Sequence, residues 1–285
     1  MISANPGAWD QLRGFAQVQA REANAALGVL DERLAGAGSR GERVAAFEAA
    51  YRHVAEWRYQ VALEGKWTRP GASAEDVRAP LGMGMVYRVT PDNVLSDQDS
   101  PAFKMLKSLE KVALERLDGS HGLQNRVRLH SGRRVNGNTV RYIPGPREVR
   151  TVTAEPDDRE VLRRASFEVL AELEEAKAAG GTDPEQRQAF VDAAYFLVQG
   201  PEFKRGSDAI MRTFLVAAHT RVFDAAPVLP QAIDLDGMVR GQEGFKQVMH
   251  EQLRIAAPPA AQPAVDAGSE RAAVTSLNRG GGMAR

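Results

Sequence analysis

Apolar positions recur at helical spacing over most of the chain. Leu12, Phe15, Leu27, Leu30 and Leu34 mark a first helix ending near Gly36-Ala37-Gly38. Val44, Phe47, Tyr51, Val54 and Val61 mark a second, ending before Gly65. Residues 70–99 are rich in Pro, Gly, Asp and Ser and read as irregular, apart from the strand-like run Met85-Val86-Tyr87-Arg88-Val89 closed by Thr90-Pro91. Ser100-Pro101 opens a third helix to Leu117, since a serine cap before proline is a strong start signal.

The period changes over 126–143. Val127 and Leu129 alternate with arginines, and Val140, Tyr142 and Ile143 follow Asn136-Gly137-Asn138, which has turn chemistry, so a β-hairpin is expected there with its turn at those residues. Helical spacing then returns over Asp157–Ala178, in a helix starting at Asp183-Pro184 with Phe190, Tyr195 and Phe196, and in a helix reaching about Val222 with Ile210, Phe214 and Ala218 inward. The last helix is expected from Gln242 to Ile255. Residues 256–285 are dominated by Ala, Pro, Gly and Ser and are expected to be a disordered tail. The fold class expected is mainly α, in the α+β sense: an N-terminal helical segment over 1–40, a helical domain with a small inserted hairpin over 41–255, and the tail.

Composition narrows the chemistry. The 285 residues carry 37 Lys plus Arg against 37 Asp plus Glu, so the basic surplus usual in a nucleic-acid binder is missing and none is expected as a partner. Arg126, Arg128, Arg133, Arg134 and Arg141 form a local basic run that reads as a solvated hairpin face. With no cysteine, thiolate nucleophiles and cysteine metal sites are excluded. The histidines His53, His121, His130, His219 and His250 include no i,i+4 pair, so no metal is expected. His219 reads as a core or boundary residue. No apolar run is long enough to span a bilayer, the N-terminus has no Sec-type pattern, and Ile2 stands where myristoylation needs glycine; a soluble protein made in a cytoplasm is the expectation.

The stretch QGPEFKRGSDAIMRTF, residues 199–214, is the candidate site. Lys204 and Arg205 precede Gly206, Ser207 and a helix, and a helix start favours anions through its free N–H groups and dipole. Arg205 offers a bidentate fork for phosphate, Gly206 allows close backbone approach, and Ser207 adds a hydroxyl. The local alternatives are that Ser207 caps the helix and that Arg205 pairs with an acidic neighbour such as Glu202.

Three segments in order resemble the AvrB family of bacterial effectors, a variant of the Fic fold. They are Ala55-Glu56-Trp57-Arg58; the hairpin through Gly137-Asn138 with the helix bearing Val161-Leu162-Arg163; and Tyr195-Phe196, Arg205-Gly206-Ser207, His219, Asp234-Leu235 and Gly241-Gln242-Glu243-Gly244-Phe245. The resemblance covers about 45–255 and is strongest over 190–250. It implies that Arg205 contacts the phosphates of a nucleotide or nucleotide-sugar, such as a dTDP- or UDP-sugar, and that Asp234 lies in the same cleft and is needed for activity. It implies no metal, a protein target aligned at the hairpin, and delivery into a host cell. A family threonine falls at Ala79, so its hydroxyl is missing, and a cleft histidine has no clear match. The stretch Gly200–Ser207 also lacks the histidine of the Fic motif HPFx(D/E)GNGR, which disfavours ordinary AMP transfer. The implied function is transfer of a sugar, such as rhamnose, to a protein hydroxyl or small acceptor. ADP-ribosyl or nucleotidyl transfer in the same cleft and a non-catalytic nucleotide-binding module are the alternatives.

Overall fold

Helix starts follow their capping chemistry. In the computed structural model, which describes residues 6–65, 73–82, 84, 86–92, 97–180 and 184–255, helix α1 runs Pro6–Ala35 and α2 Arg40–Leu63. Ser39 caps α2 in a capping box: its hydroxyl accepts from Glu42 N, while Glu42 Oε2 accepts from Ser39 N at 2.9 Å. A single turn, α3 (Glu75–Arg78), interrupts the segment expected to be irregular, and the strand-like run within it forms a short strand, β1 (Val86–Arg88), as expected. Helix α4 (Pro101–Leu117) starts as expected, with Ser100 Oγ accepting from Phe103 N at 3.2 Å. Strands β2 (Gly122–Arg128), β3 (Arg134–Ile143) and β4 (Glu148–Val152) follow, then α5 (Pro156–Ala178), α6 (Pro184–Gln199), α7 (Ser207–Phe223), β5 (Pro227–Val228), α8 (Ile233–Gln252) and β6 (Arg254–Ile255). The molecule is mainly helical with a small antiparallel sheet. Leu12, Met85, Asp183 and the expected tail over 256–285 lie outside the residues or side chains described.

Helices α1, α2, α5, α6, α7 and α8 share one core. At its centre Tyr51, Phe167 and Phe214 meet with ring centroids 5.6–5.8 Å apart, tying α2, α5 and α7 together. Phe196, Ile210 and Phe214 are fully buried, as their spacing predicts. His219 is buried too, its Nδ1 2.6 Å from Ala225 O, in keeping with a core histidine. A smaller core joins α4 and the start of α8 to the inner faces of β3 and β4 through Leu109, Val140, Val149 and Val239.

The hairpin is one part of a four-stranded antiparallel sheet ordered β1-β4-β3-β2. Its turn is also displaced from the expected place. Residues 129–133 make it, with Gly132 N donating to Leu129 O, whereas Asn136-Gly137-Asn138 lie inside β3. Pairing passes from Gln124↔Thr139 to Arg126↔Asn136, so β3 carries an extra residue: a β-bulge uses the same small, polar residues that a turn would. The bulge turns Gly137 and Asn138 both inward. Asn138 N donates to Gln199 Oε1 at 2.8 Å and its Nδ2 to Met238 O at 2.9 Å, while Asn125 Nδ2 donates to Asn138 Oδ1 at 2.8 Å. A Cβ on Gly137 would stand 2.3 Å from Gln199 Oε1, so a side chain there would displace the amide oxygen that accepts from Asn138 N. The final helix starts after the break at Gly241, as expected from Gln242, but ends at Gln252, with Arg254 and Ile255 in β6. A further helical stretch from Ile233, not expected, precedes the break, where Gly241 has a φ of 72° that no L side chain adopts readily.

Candidate functional site

The loop between α6 and α7 is fixed by backbone pairing with residues 76–81. Leu81 N donates to Glu202 O (2.8 Å), Lys204 N to Ala79 O (3.1 Å) and Arg205 N to Asp76 O (3.1 Å). Ala79 is extended, as expected before Pro80. Arg159 Nη1 donates to Pro201 O at 3.1 Å and its Nη2 to Gly82 O, clamping both sides of the loop. The structure thus joins Ala79 to the Arg205-Gly206-Ser207 start of α7.

Gly206, not Ser207, is the cap of α7. It is left-handed, with φ 77°, and α7 has no side-chain cap hydrogen bond, so its leading N–H groups are not held by the chain's own cap side chain. Ser207 is the first helical residue; its Oγ donates to Phe203 O at 2.9 Å. Asp208 puts a carboxylate in the first turn. The Arg205 side chain, about half-exposed, holds Asp76 Oδ2 with Nε at 3.3 Å. Its partner is not Glu202, which pairs with Arg52 and lies 3.7 Å from Arg163 Nε.

Under Gly206 lies a residue to which the pattern of the sequence assigned no role. Arg58, on α2, is 8% exposed, and its Nε and Nη1 have no hydrogen-bond partner among the described residues. A Cβ on Gly206 would meet Arg58 Cγ at 3.0 Å and Nε at 3.3 Å. The guanidinium therefore lies directly against the cap of α7. Burial depresses its pKa from the ordinary arginine value, yet a guanidinium stays protonated in a protein. Two of its three nitrogens are thus buried without a partner, and leaving charged donors unpaired is costly, so an anion beside them would be favoured. Arg58 ends the segment Ala55-Glu56-Trp57-Arg58, but no local pattern indicates that its charge is unpaired; that depends on α2 meeting α7.

Asp234 occupies the first turn of α8. Burial, then the nearby Asp208 carboxylate, push its pKa up to about 6, against the pull of Arg212 and the N–H groups of Leu235 and Asp234. Arg212 joins the two helix starts: its Nε donates to Asp208 Oδ1 at 2.7 Å and its Nη1 to Pro230 O at 2.9 Å. Tyr87, in β1, faces the same pair; burial and the charges of Asp234 and Asp208 push its hydroxyl up to about 12. Asp234 and Arg205 thus meet different neighbours, and no ion pair or hydrogen bond links them among the described residues. What they share is the first turn of α7, flanked by Asp208 with Asp234 and by Arg205 with Asp76.

The arrangement offers an anion three complementary features: a glycine-capped helix start, a buried guanidinium and a solvent-facing arginine. Beside it stands a carboxylate titrating near neutrality. Among the described residues no three His, Asp or Glu side chains converge as a metal-ion cluster. No family model matches the chain and no curated protein matches it, so the chemistry is read from these residues alone.

Proposed function

We propose that the chain is a Fic-fold transferase of the AvrB-like kind, using a nucleotide-sugar whose diphosphate sits at the start of α7. The observation that carries the reading is Arg58: a buried guanidinium without a partner, against a helix cap made by a left-handed glycine. Together with Arg205 it would neutralise the two charges of a diphosphate leaving group. In the reaction an acceptor hydroxyl attacks the anomeric carbon, the carbon–oxygen bond to the phosphate breaks, and the nucleoside diphosphate leaves with the bonding electrons. Asp234 takes the hydroxyl proton; its raised pKa makes it a stronger base than an ordinary aspartate while leaving it mostly ionised at neutral pH.

A non-catalytic nucleotide-binding module is the second reading, favoured by Ala79, which brings a methyl group to the loop where the resembling family has a hydroxyl. Incubation with radiolabelled UDP- and dTDP-sugars separates the two. Donor cleavage to nucleoside diphosphate that Asp234→Asn abolishes supports the transferase; binding without cleavage leaves the module.

A further inference from the structure

Among the described residues the sheet packs one face against α4, α5 and α8 and leaves the other free, and charge is distributed very unevenly between that free face and the rest of the chain. Cross-strand partners share a face, so the register Arg88↔Arg150↔Arg141 puts three arginines side by side across β1, β4 and β3. Arg126 and Arg128 of β2, with Arg134 of β3, continue the same face beyond the bulge. Six arginines stand there against one carboxylate, Glu148, a net of five positive charges in a chain whose total is zero.

We infer that this face docks an acidic protein segment, its glutamates and aspartates seated in the arginine forks. Glu148 is the internal template. Its Oε1 lies 3.1 Å from Arg88 Nη2, and its Oε2 accepts from Arg150 Nε at 2.9 Å and Nη2 at 2.6 Å, so the face already holds one carboxylate in the geometry proposed for the others. Arg128, Arg134 and Arg141 are exposed, and no carboxylate of the chain lies within ion-pair distance of their side chains among the described residues. Like charges held a strand apart, about 4.8 Å, repel. A polyanion crossing the strands relieves that repulsion.

Protein fits the face better than nucleic acid. Single strands are bound by stacking on aromatic rings, and the free face has none: Tyr87 and Tyr142 pair with Thr151 and Val149 on the inward side. The neutral whole also lacks the long-range positive field that gathers nucleic acid. Next to the arginines, Val86 and Val152 pair across β1 and β4, an apolar strip that a peptide's aliphatic side chains cover. The face has this role whether or not the α7 site turns over a donor.

The test is fluorescence anisotropy of the full chain with a fluorescein-labelled, glutamate-rich peptide of about ten residues, which reaches about 33 Å when extended. Labelled single- and double-stranded oligonucleotides and phosphatidylserine vesicles run in parallel. Saturable peptide binding is expected, weakened by added salt and lost about tenfold in Arg141→Glu and again in Arg134→Glu, both at exposed positions. Arg33→Glu, the same charge change on α1, should leave it intact; unchanged melting curves confirm folding. Absence of peptide binding, equal affinity in the face variants, or tighter binding of an oligonucleotide or vesicle would each overturn the inference.

Discussion

Arg58 packs so closely under Gly206 that a side chain at 206 lacks room: the Cβ that Gly206 lacks would lie 3.0 Å from Arg58 Cγ. Glycine is therefore required twice here, for the left-handed backbone and for the space above the guanidinium. Gly206→Ala should cost about 1–2 kcal/mol through the backbone alone, with a further cost for displacing Arg58. A thermal midpoint lowered by a few degrees, with weakened nucleoside diphosphate binding, is the expected result; an unchanged midpoint would show that the loop relaxes freely.

Arg58 itself gives a sharper test. If its charge is a standing cost held for a ligand, Arg58→Met should raise the stability of the unliganded protein by about 1 kcal/mol or more, because a buried unpaired charge is replaced by an apolar chain of similar length. Ligand binding should fall in the same variant. A structural arginine predicts the reverse in stability. Chemical denaturation of both proteins without ligand decides the point.

The raised Asp234 pKa makes a prediction with a definite sign. An aspartate near 3.9 in the unfolded chain and near 6 in the folded one favours folding fully below pH 4, and that contribution is lost as pH rises through 6. Asp234→Asn, which keeps an acceptor for the Leu235 N–H, should leave stability at pH 4 nearly unchanged and raise it at pH 7.5 by about 1–2 kcal/mol, allowing for partial solvent access. Melting curves at the two pH values check this. Equal effects at both would place the carboxylate's pKa at its ordinary value.

His130 behaves oppositely to a buried histidine. Its Nε2 lies 3.5 Å from Asp192 Oδ2, and that partner raises its pKa against the effect of burial. The pair contributes stability that is present below about pH 6.5 and lost as pH rises through the raised folded value. His130→Gln should therefore destabilise more at pH 5.5 than at pH 8.5, as read by urea midpoints.

Most helices were legible because each carries its own apolar stripe, and α4 carries a start signal as well in Ser100-Pro101. The bulge was not, because Asn136-Gly137-Asn138 has the same composition as a turn. What fixes it inside a strand is Gln199 and Met238, which are 61 and 100 residues from Asn138. The start of α8 at Ile233 was hidden for a related reason, since Gly237 and Gly241 lower the helical signal. Of the candidate site, Arg205-Gly206-Ser207 was legible as a basic helix start. Arg58, Tyr87 and Asp208 were not, because their electrostatic roles arise only when α2, β1, α7 and α8 converge.

In the proposed function, a diphosphate at the start of α7 is held by Arg58 and Arg205. Isothermal titration of the wild type, Arg58→Met and Arg205→Ala with UDP, dTDP and their sugars measures that contact. Saturable binding to the wild type is predicted. It should weaken at least tenfold in Arg58→Met, where a charge-assisted contact is lost in a buried setting. In Arg205→Ala it should weaken by a smaller factor, because that arginine is half-exposed and shared with Asp76. No measurable binding by the wild type, or equal affinity in all three proteins, would rule out the diphosphate site at α7.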